Sequence, residues 1–182
     1  MEFIISHQWD EQLWNKVSPI YKQAFADKGA KPDKIIRNMF RKQLCFLHVC
    51  LINGQVAAMA ITGKLDEARS LLIDYLAVEQ SMRGRGLGNK MLKWIEEWAM
   101  ASEIYKQLII EVEADETAEN RTRISFWERC GFTLTDYIHQ YIWVPEPYRA
   151  MHKKLQSETE CTTDGRVLFH YIGHFHKQSF QR

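Results

Sequence analysis

The chain has 182 residues, 46% of them hydrophobic and 26% charged, and a formal net charge of +1. That is enough chain for one globular domain with its own core and no disulfide staples. The sequence argues against three classes. The near-neutral charge argues against nucleic acid as a partner, no run approaches the roughly 18 apolar residues of a membrane span, and the N-terminus lacks the basic start and long apolar run of a signal peptide.

Phe3-Ile4-Ile5 reads as a short first strand. From Trp9 to Phe25, Leu13, Val17, Ile20, Tyr21 and Ala24 recur at helical spacing. The stretch 28–32 breaks that helix, and Asp33 is placed to cap a second one carrying Ile36, Met39 and Phe40. Cys45 to Ile52 and Gln55 to Thr62 are β-prone runs joined by Asn53-Gly54, the signature of a type I′ hairpin. A strand from Leu71 to Val78 follows. After a Gly-rich stretch a helix starts at Leu87, with Met91, Leu92, Ile95 and Trp98 on one face. Leu108 to Val112 reads as a strand, and Glu119 to Arg129 as a helix stopped by Gly131. Further strands are expected over Phe132–Thr135 and Ile138–Val144. Pro145 and Pro147 mark a boundary, which divides the chain into a domain over 1–150 and an extension over 151–182 packed on it. That extension reads as polar to Asp164-Gly165 and β-like through Phe175, to add a strand or serve a homodimer contact. Helices alternating with strands indicate an α/β (α+β) fold. The four cysteines, Cys45, Cys50, Cys130 and Cys161, form no C-x-x-C pair. Cys45 and Cys50 read as small buried hydrophobes, and a reducing cytoplasm fits the set.

The most informative run is Arg83-Gly84-Arg85-Gly86-Leu87-Gly88. Strand, Gly-rich turn and helix point unpaired backbone N–H groups at an anion, and the helix dipole adds positive potential. Glycines admit a phosphate close to the main chain, and two arginines add charged donors. The glycine spacing fails the dinucleotide-binding G-x-G-x-x-G pattern, and no Gly-Lys-Ser or Gly-Lys-Thr of a Walker A loop exists.

What the residues match is R-x-x-G-x-G, read as Arg83, Gly86 and Gly88, and this resembles the coenzyme A loop of the GNAT superfamily of acyl-CoA-dependent N-acetyltransferases. Ala77-Val78 ahead of it resembles that family's fourth strand. Asn120, followed by Phe126-Trp127-Glu128-Arg129-Cys130-Gly131-Phe132, resembles its second block. The resemblance covers roughly residues 1–150. It implies a mixed, mostly antiparallel sheet flanked by helices, with fourth and fifth strands splayed to admit coenzyme A. It implies acetyl-CoA as cosubstrate and a small-molecule or protein amine as acceptor. It places the diphosphate on Arg83, Gly84, Arg85, Gly86, Leu87, Gly88 and Asn89, and the pantetheine arm beside Leu76, Ala77 and Val78. The N–H of Val78 becomes the oxyanion donor, with Asn120 and the helix bearing Trp127 lining the arm.

Acetyl transfer needs a base, because an alkyl ammonium is not a nucleophile. Asp74, a carboxylate inside an apolar strand, is the first candidate; its alternative is an Asp at a strand edge. Glu111 is the second, and Glu113 shares its strand face by period two, with a solvated face as the plain alternative. Many family members carry a Tyr acid where Trp127 stands, and an indole shuttles no proton at physiological pH. Tyr137 and Tyr141 are substitutes, and the acid stays unassigned. A catalytically silent acyl-CoA-binding module is therefore the competing reading. Tyr141, Trp143, Pro145, Pro147 and Tyr148 either roof an acceptor pocket or pack the last strands. His170, His174 and His176 would share a strand face, but no carboxylate or Cys stands in ligand spacing, and no metal is expected.

Overall fold

The computed structural model describes residues 1–181. Strand β1 (Glu2–Ser6) precedes helix α1 (Glu11–Phe25), whose first turn is capped by Asp10, Oδ1 accepting from the Leu13 N–H at 2.9 Å. Helix α2 (Asp33–Arg41) starts one residue earlier than the sequence suggests. Pro32 holds the cap position, and Asp33 is the first helical residue, where its charge suits the helix dipole and meets Lys22 at 3.1 Å. Strands β2 (Cys45–Ile52) and β3 (Gln55–Leu65) form the expected hairpin. Asn53 and Gly54 both turn through positive φ, 52° and 76°, as a type I′ turn requires.

Then come β4 (Ser70–Val78), α3 (Leu87–Ala101), β5 (Gln107–Glu113), α4 (Ala118–Arg129), β6 (Thr133–Gln140), β7 (Pro147–Lys154) and α5 (Gly165–Phe180). The sheet has seven strands in the order β1-β2-β3-β4-β5-β7-β6. Antiparallel pairing joins β1 to β2, β2 to β3, β5 to β7 and β6 to β7, while β4 and β5 are parallel. The register of β4 with β5 runs only from Ser70↔Gln107 to Leu72↔Ile109. The ladder between the two strands ends there, which fits a splayed fourth and fifth strand.

The chain divides into two units. One comprises Met1–Lys64, Ile73–Trp98 and the terminus from Phe175; Trp14, Val17, Tyr21, Ile36, Met59 and Ile95 form its core. The other comprises Leu65–Leu72 and Ala99–His174, packed around Leu71, Leu108, Ile110, Met151, Leu168 and Ile172.

Three sequence expectations are corrected here. The strands read over 132–135 and 138–144 are one strand, β6, with a register shift between Leu134 and Ile138; the chain leaves the sheet at Gln140. Pro147 opens a further strand, β7, at the first-residue position a proline tolerates. The β-like reading of 165–175 is overturned: this stretch is α5. Asp164 Oδ1 caps it by accepting from Arg166 and Val167 N–H at 2.8 and 3.3 Å, and Leu168, Ile172, Phe175 and Ser179 form its buried stripe. On a helix, His176 leaves the face that His170 and His174 share. Among the described residues, no group of three His, Cys, Asp or Glu side chains is disposed to hold a metal ion, and no helix is long and apolar enough to cross a membrane.

His48 lies fully buried in β2. Its Nε2 meets Thr62 Oγ1 at 2.9 Å, its ring stands edge-on to Trp98 at 5.2 Å, and its Nδ1 has no hydrogen-bond partner among the described residues. Burial pulls its pKa from 6.5 down to about 3, so the folded chain refuses a proton that the unfolded chain accepts. Stability from this group is therefore present above pH 6.5 and is lost as pH falls toward 3. Urea midpoints at pH 7, 6 and 5 should fall for the wild type. His48→Gln, which does not titrate, should remove one proton's share of that slope, about 1.4 kcal/mol per pH unit. Equal slopes would assign the acid sensitivity elsewhere.

Candidate active site

After β4 the chain makes a short 3-10 turn over Gln80–Met82, fixed by the Glu79 carboxylate accepting from the Ser81 N–H at 2.7 Å. Arg83 is extended, and its Nε donates back to the Val78 carbonyl at 3.2 Å. This bond fastens the loop to the end of the strand. Gly84 and Gly86 then turn through φ of 75° and 74°, a region that disfavours any side chain. The first helical residue is Leu87, and Lys90 N–H bonds back to the Gly86 carbonyl at 3.1 Å. The N–H groups of Leu87 and Gly88 thus precede the first intrahelical bond and lie at the positive end of α3. Arg83, Gly84, Arg85, Gly86 and Asn89 are exposed, so the loop is open to an anion from solvent.

Along β4, Tyr75 and Ala77 are buried, whereas Leu76 and Val78 are only half-buried. The Asp74 side chain is shielded from solvent. Its Oδ1 and Oδ2 accept from Lys31 Nζ at 2.8 and 2.6 Å, and the two side chains are 5% and 6% exposed, Lys31 first. The Lys31 ammonium also sits 5.0 Å from the Tyr75 ring centre and 5.6 Å from that of Phe175. Lys31 comes from the α1–α2 connection, 43 residues away from its partner, and no pattern in the sequence links the two.

In the second unit, Glu111 and Glu113 lie half-buried on β5, on one face as period two requires. Tyr141 donates its hydroxyl hydrogen to Glu111 Oε2 at 2.9 Å. Its ring stacks on Trp143 at 5.2 Å and meets His139 and Tyr148 edge-on at 4.5 and 5.6 Å. Burial first, then the negative charge of Glu113, Glu111 and Glu146, pushes the Tyr148 phenol up to about 12. This corner is therefore acidic and aromatic. Burial pulls His139 below its ordinary value, against the opposing pull of Glu111.

Asn120 is buried on α4, its Nδ2 donating to the Asp115 carbonyl at 2.9 Å and its Oδ1 accepting from Arg123 at 3.3 Å. Arg123 also reaches Glu119 at 2.9 Å and Glu113 at 3.8 Å. Trp127 packs edge-on between Phe126 and Phe132, at 5.1 and 5.2 Å. Tyr137 Oη approaches His139 Nδ1 at 3.4 Å.

The whole chain resembles proteins of known structure at low identity. A GNAT-family protein from Bacteroides thetaiotaomicron aligns at 18% identity with a TM-score of 0.70, over 97% of this chain and 95% of that one. The ribosomal-protein-S18-alanine N-acetyltransferase of Escherichia coli aligns at 19% identity and a TM-score of 0.65, over 87% of this chain and 97% of that one. An aminoglycoside 6'-N-acetyltransferase complexed with coenzyme A aligns at 12% identity and 0.64, over 86% and 99%. These likenesses show the fold. No curated protein matches the chain in sequence. The family model for the acetyltransferase (GNAT) family matches residues 10–132. That match covers more than half of the chain, and the chain is accordingly an acyltransferase of the acetyltransferase (GNAT) family.

Proposed function

We propose that the protein transfers an acetyl group from acetyl-CoA to a primary amine by direct attack in a ternary complex. The observation that carries this reading is the loop between β4 and α3. Its two left-handed glycines, its two arginines and the N-terminus of α3 together suit a diphosphate. Residues 83–89 hold that group. The stretch Leu76–Val78, half-buried at Leu76 and Val78, receives the pantetheine arm as an added strand, with the Val78 N–H as oxyanion donor. Asn120 and Trp127 are assigned to the same arm by the family resemblance.

The hydrogen bond from Tyr141 to Glu111 supports a division of labour. Glu111 takes a proton from the acceptor ammonium. The free amine attacks the thioester carbonyl, and the collapsing tetrahedral adduct expels the thiolate, which takes the Tyr141 proton. The attacking nitrogen loses its second proton to solvent, and Glu111 returns its proton to Tyr141 along their bond. Asp74, the other carboxylate read from the sequence, has both oxygens engaged by Lys31, which favours a positioning part for it. Three carboxylates around aromatic rings, with Trp143 largely exposed, favour a cationic acceptor. The competing reading, an acyl-CoA-binding module without turnover, draws on Trp127 standing where a Tyr acid is common.

Calorimetric titration with acetyl-CoA should give a dissociation constant on the order of micromolar, lost in Arg83→Ala/Gly86→Asp because the cradle loses a cation and gains a negative side chain. An amine panel followed by thiol release then separates the readings: binding without turnover on any amine selects the silent module. With the best amine, Glu111→Gln should lower kcat/KM by roughly 10²-fold or more, and Tyr141→Phe by less, because water replaces a proton donor more easily than a positioned base. Acetyl-CoA affinity should hold in both. Wild-type turnover by Glu111→Gln would remove Glu111 from the reaction.

A further inference from the structure

The Lys31 ammonium occupies a surround of definite chemistry. Two carboxylate oxygens of Asp74 accept from it, and the rings of Tyr75 and Phe175 offer their negative faces. The backbone around it is held as tightly. Tyr75 Oη accepts from the Lys31 N–H and donates to the Gly29 carbonyl, both at 3.1 Å. Tyr21 Oη donates to the Lys31 carbonyl at 2.9 Å. The connection between α1 and α2 is thus pinned at its peptide groups and at one ammonium.

Phe175 reaches this place only because residue 63 is glycine. A Cβ there would stand 2.4 Å from the Phe175 ring, an impossible approach, so a glycine inside β3 makes room for the C-terminal helix. The end of that helix is fixed by α2. Asn38 Nδ2 donates to the Ser179 and Gln181 carbonyls at 3.1 and 2.9 Å, and Lys42 Nζ to the Gln178 and Gln181 carbonyls at 2.9 and 2.5 Å. These bonds satisfy carbonyls that a helix terminus leaves open.

A second tie lies at the other end of the same segment. Gln23 Nε2 donates to Gln80 Oε1 at 2.8 Å, just after β4 ends. Residues 23–31 are therefore fastened to β4 on either side of Leu76, Ala77 and Val78, at Gln80 beyond them and at Asp74 and Tyr75 before them. That bracketed stretch is the one assigned above to the thioester arm.

We propose that β4 and the C-terminal helix build a binding box for a primary ammonium, filled from within by Lys31, which latches residues 23–32 beside the reacting end of β4 and makes the C-terminal helix a working part of the acyltransferase. Lys31, Asp74 and Phe175 are positioning residues: they set the wall against which an acceptor amine aligns. The box itself stands independently of the transferase reading; its kinetic consequence rests on it.

Lys31→Ala removes three methylenes and the ammonium, the shape of n-propylammonium, and this allows chemical rescue. In the full-length variant, amide hydrogen exchange over 26–32 should rise about tenfold or more, and the transition midpoint should drop by roughly 10 °C, because Asp74 is left buried and alone. n-Propylammonium at about 100 mM, by binding the folded form alone, should restore protection at 26–32. Sodium chloride at equal ionic strength should not, and Lys31→Ala/Asp74→Asn should not respond to either. Phe175→Leu, which leaves the ion pair intact, should also speed exchange at 26–32, far away in sequence. With an accepted amine, Lys31→Met should raise KM about tenfold while kcat and acetyl-CoA affinity stay within about twofold, the signature of lost alignment. Unchanged exchange in Lys31→Ala and Phe175→Leu, or equal rescue by sodium chloride, overturns the box. Restored protection with an unaltered KM overturns the positioning role alone. Absence of turnover on any amine in the wild type counts against the transferase reading and leaves the exchange test standing.

Discussion

Placing an ammonium and a carboxylate together where water is excluded costs more in lost hydration than their attraction returns, unless every remaining hydrogen and lone pair is met. Lys31 and Asp74 offset that cost by bonding each other twice and drawing in their neighbours. Two aromatic rings face the cation, and two tyrosine hydroxyls take up the peptide groups on either side of Lys31. Such a pair contributes little net stability, yet deleting one partner is severe because the other is stranded. Its effect is to allow one arrangement of the α1–α2 connection and to reject others. The positions of α1, β4 and the last turns of α5 within their unit all follow from satisfying it.

The same economy governs β4. Its first three residues are ordinary parallel sheet, paired with β5, and its remaining residues are released from that partner. A strand that keeps one neighbour and loses the other offers backbone groups to a ligand without unfolding anything. The Gly84–Gly86 turn and the head of α3 come directly after it, so the strand that presents an amide edge also delivers the anion cradle, and the Arg83 bond to Val78 fastens one to the other. The acidic and aromatic corner around Glu111, Tyr141 and Tyr148 is built on β5 and β7 by register: Glu113 stands opposite Tyr148, and Glu111 opposite Ala150. A small residue facing Glu111 leaves its carboxylate accessible to the Tyr141 hydroxyl.

Much of this was legible in the chain. Asn53-Gly54 demanded a hairpin because only that turn tolerates two left-handed residues in succession. Arg83, Gly84 and Gly86 read correctly as a loop feeding a helix, since glycine spacing is a local, steric message. The last forty residues were not legible in the same way. Phe169, Tyr171, Ile172 and Phe175 are strong β-formers, and their bulk obscured the 168–172–175–179 stripe and the Asp164 cap that mark a helix. Pro147 looked like punctuation, although a proline is tolerated at a strand's first position. Asp74 stands out because a carboxylate in an apolar strand needs a partner; nothing local in the sequence shows which.

What the sequence by itself determined is what short-range sterics and periodicity encode: the hairpin, the Gly-rich loop, the amphipathic helices, and through the loop motif the family of the enzyme. What only the tertiary structure decided is which distant side chains meet. Lys31 finds Asp74 across 43 residues, Tyr141 finds Glu111 across 30, and Phe175 finds the space above Gly63. Those meetings depend on how whole elements pack and on the need to satisfy every buried polar group, and neither condition is written in any window of neighbouring residues.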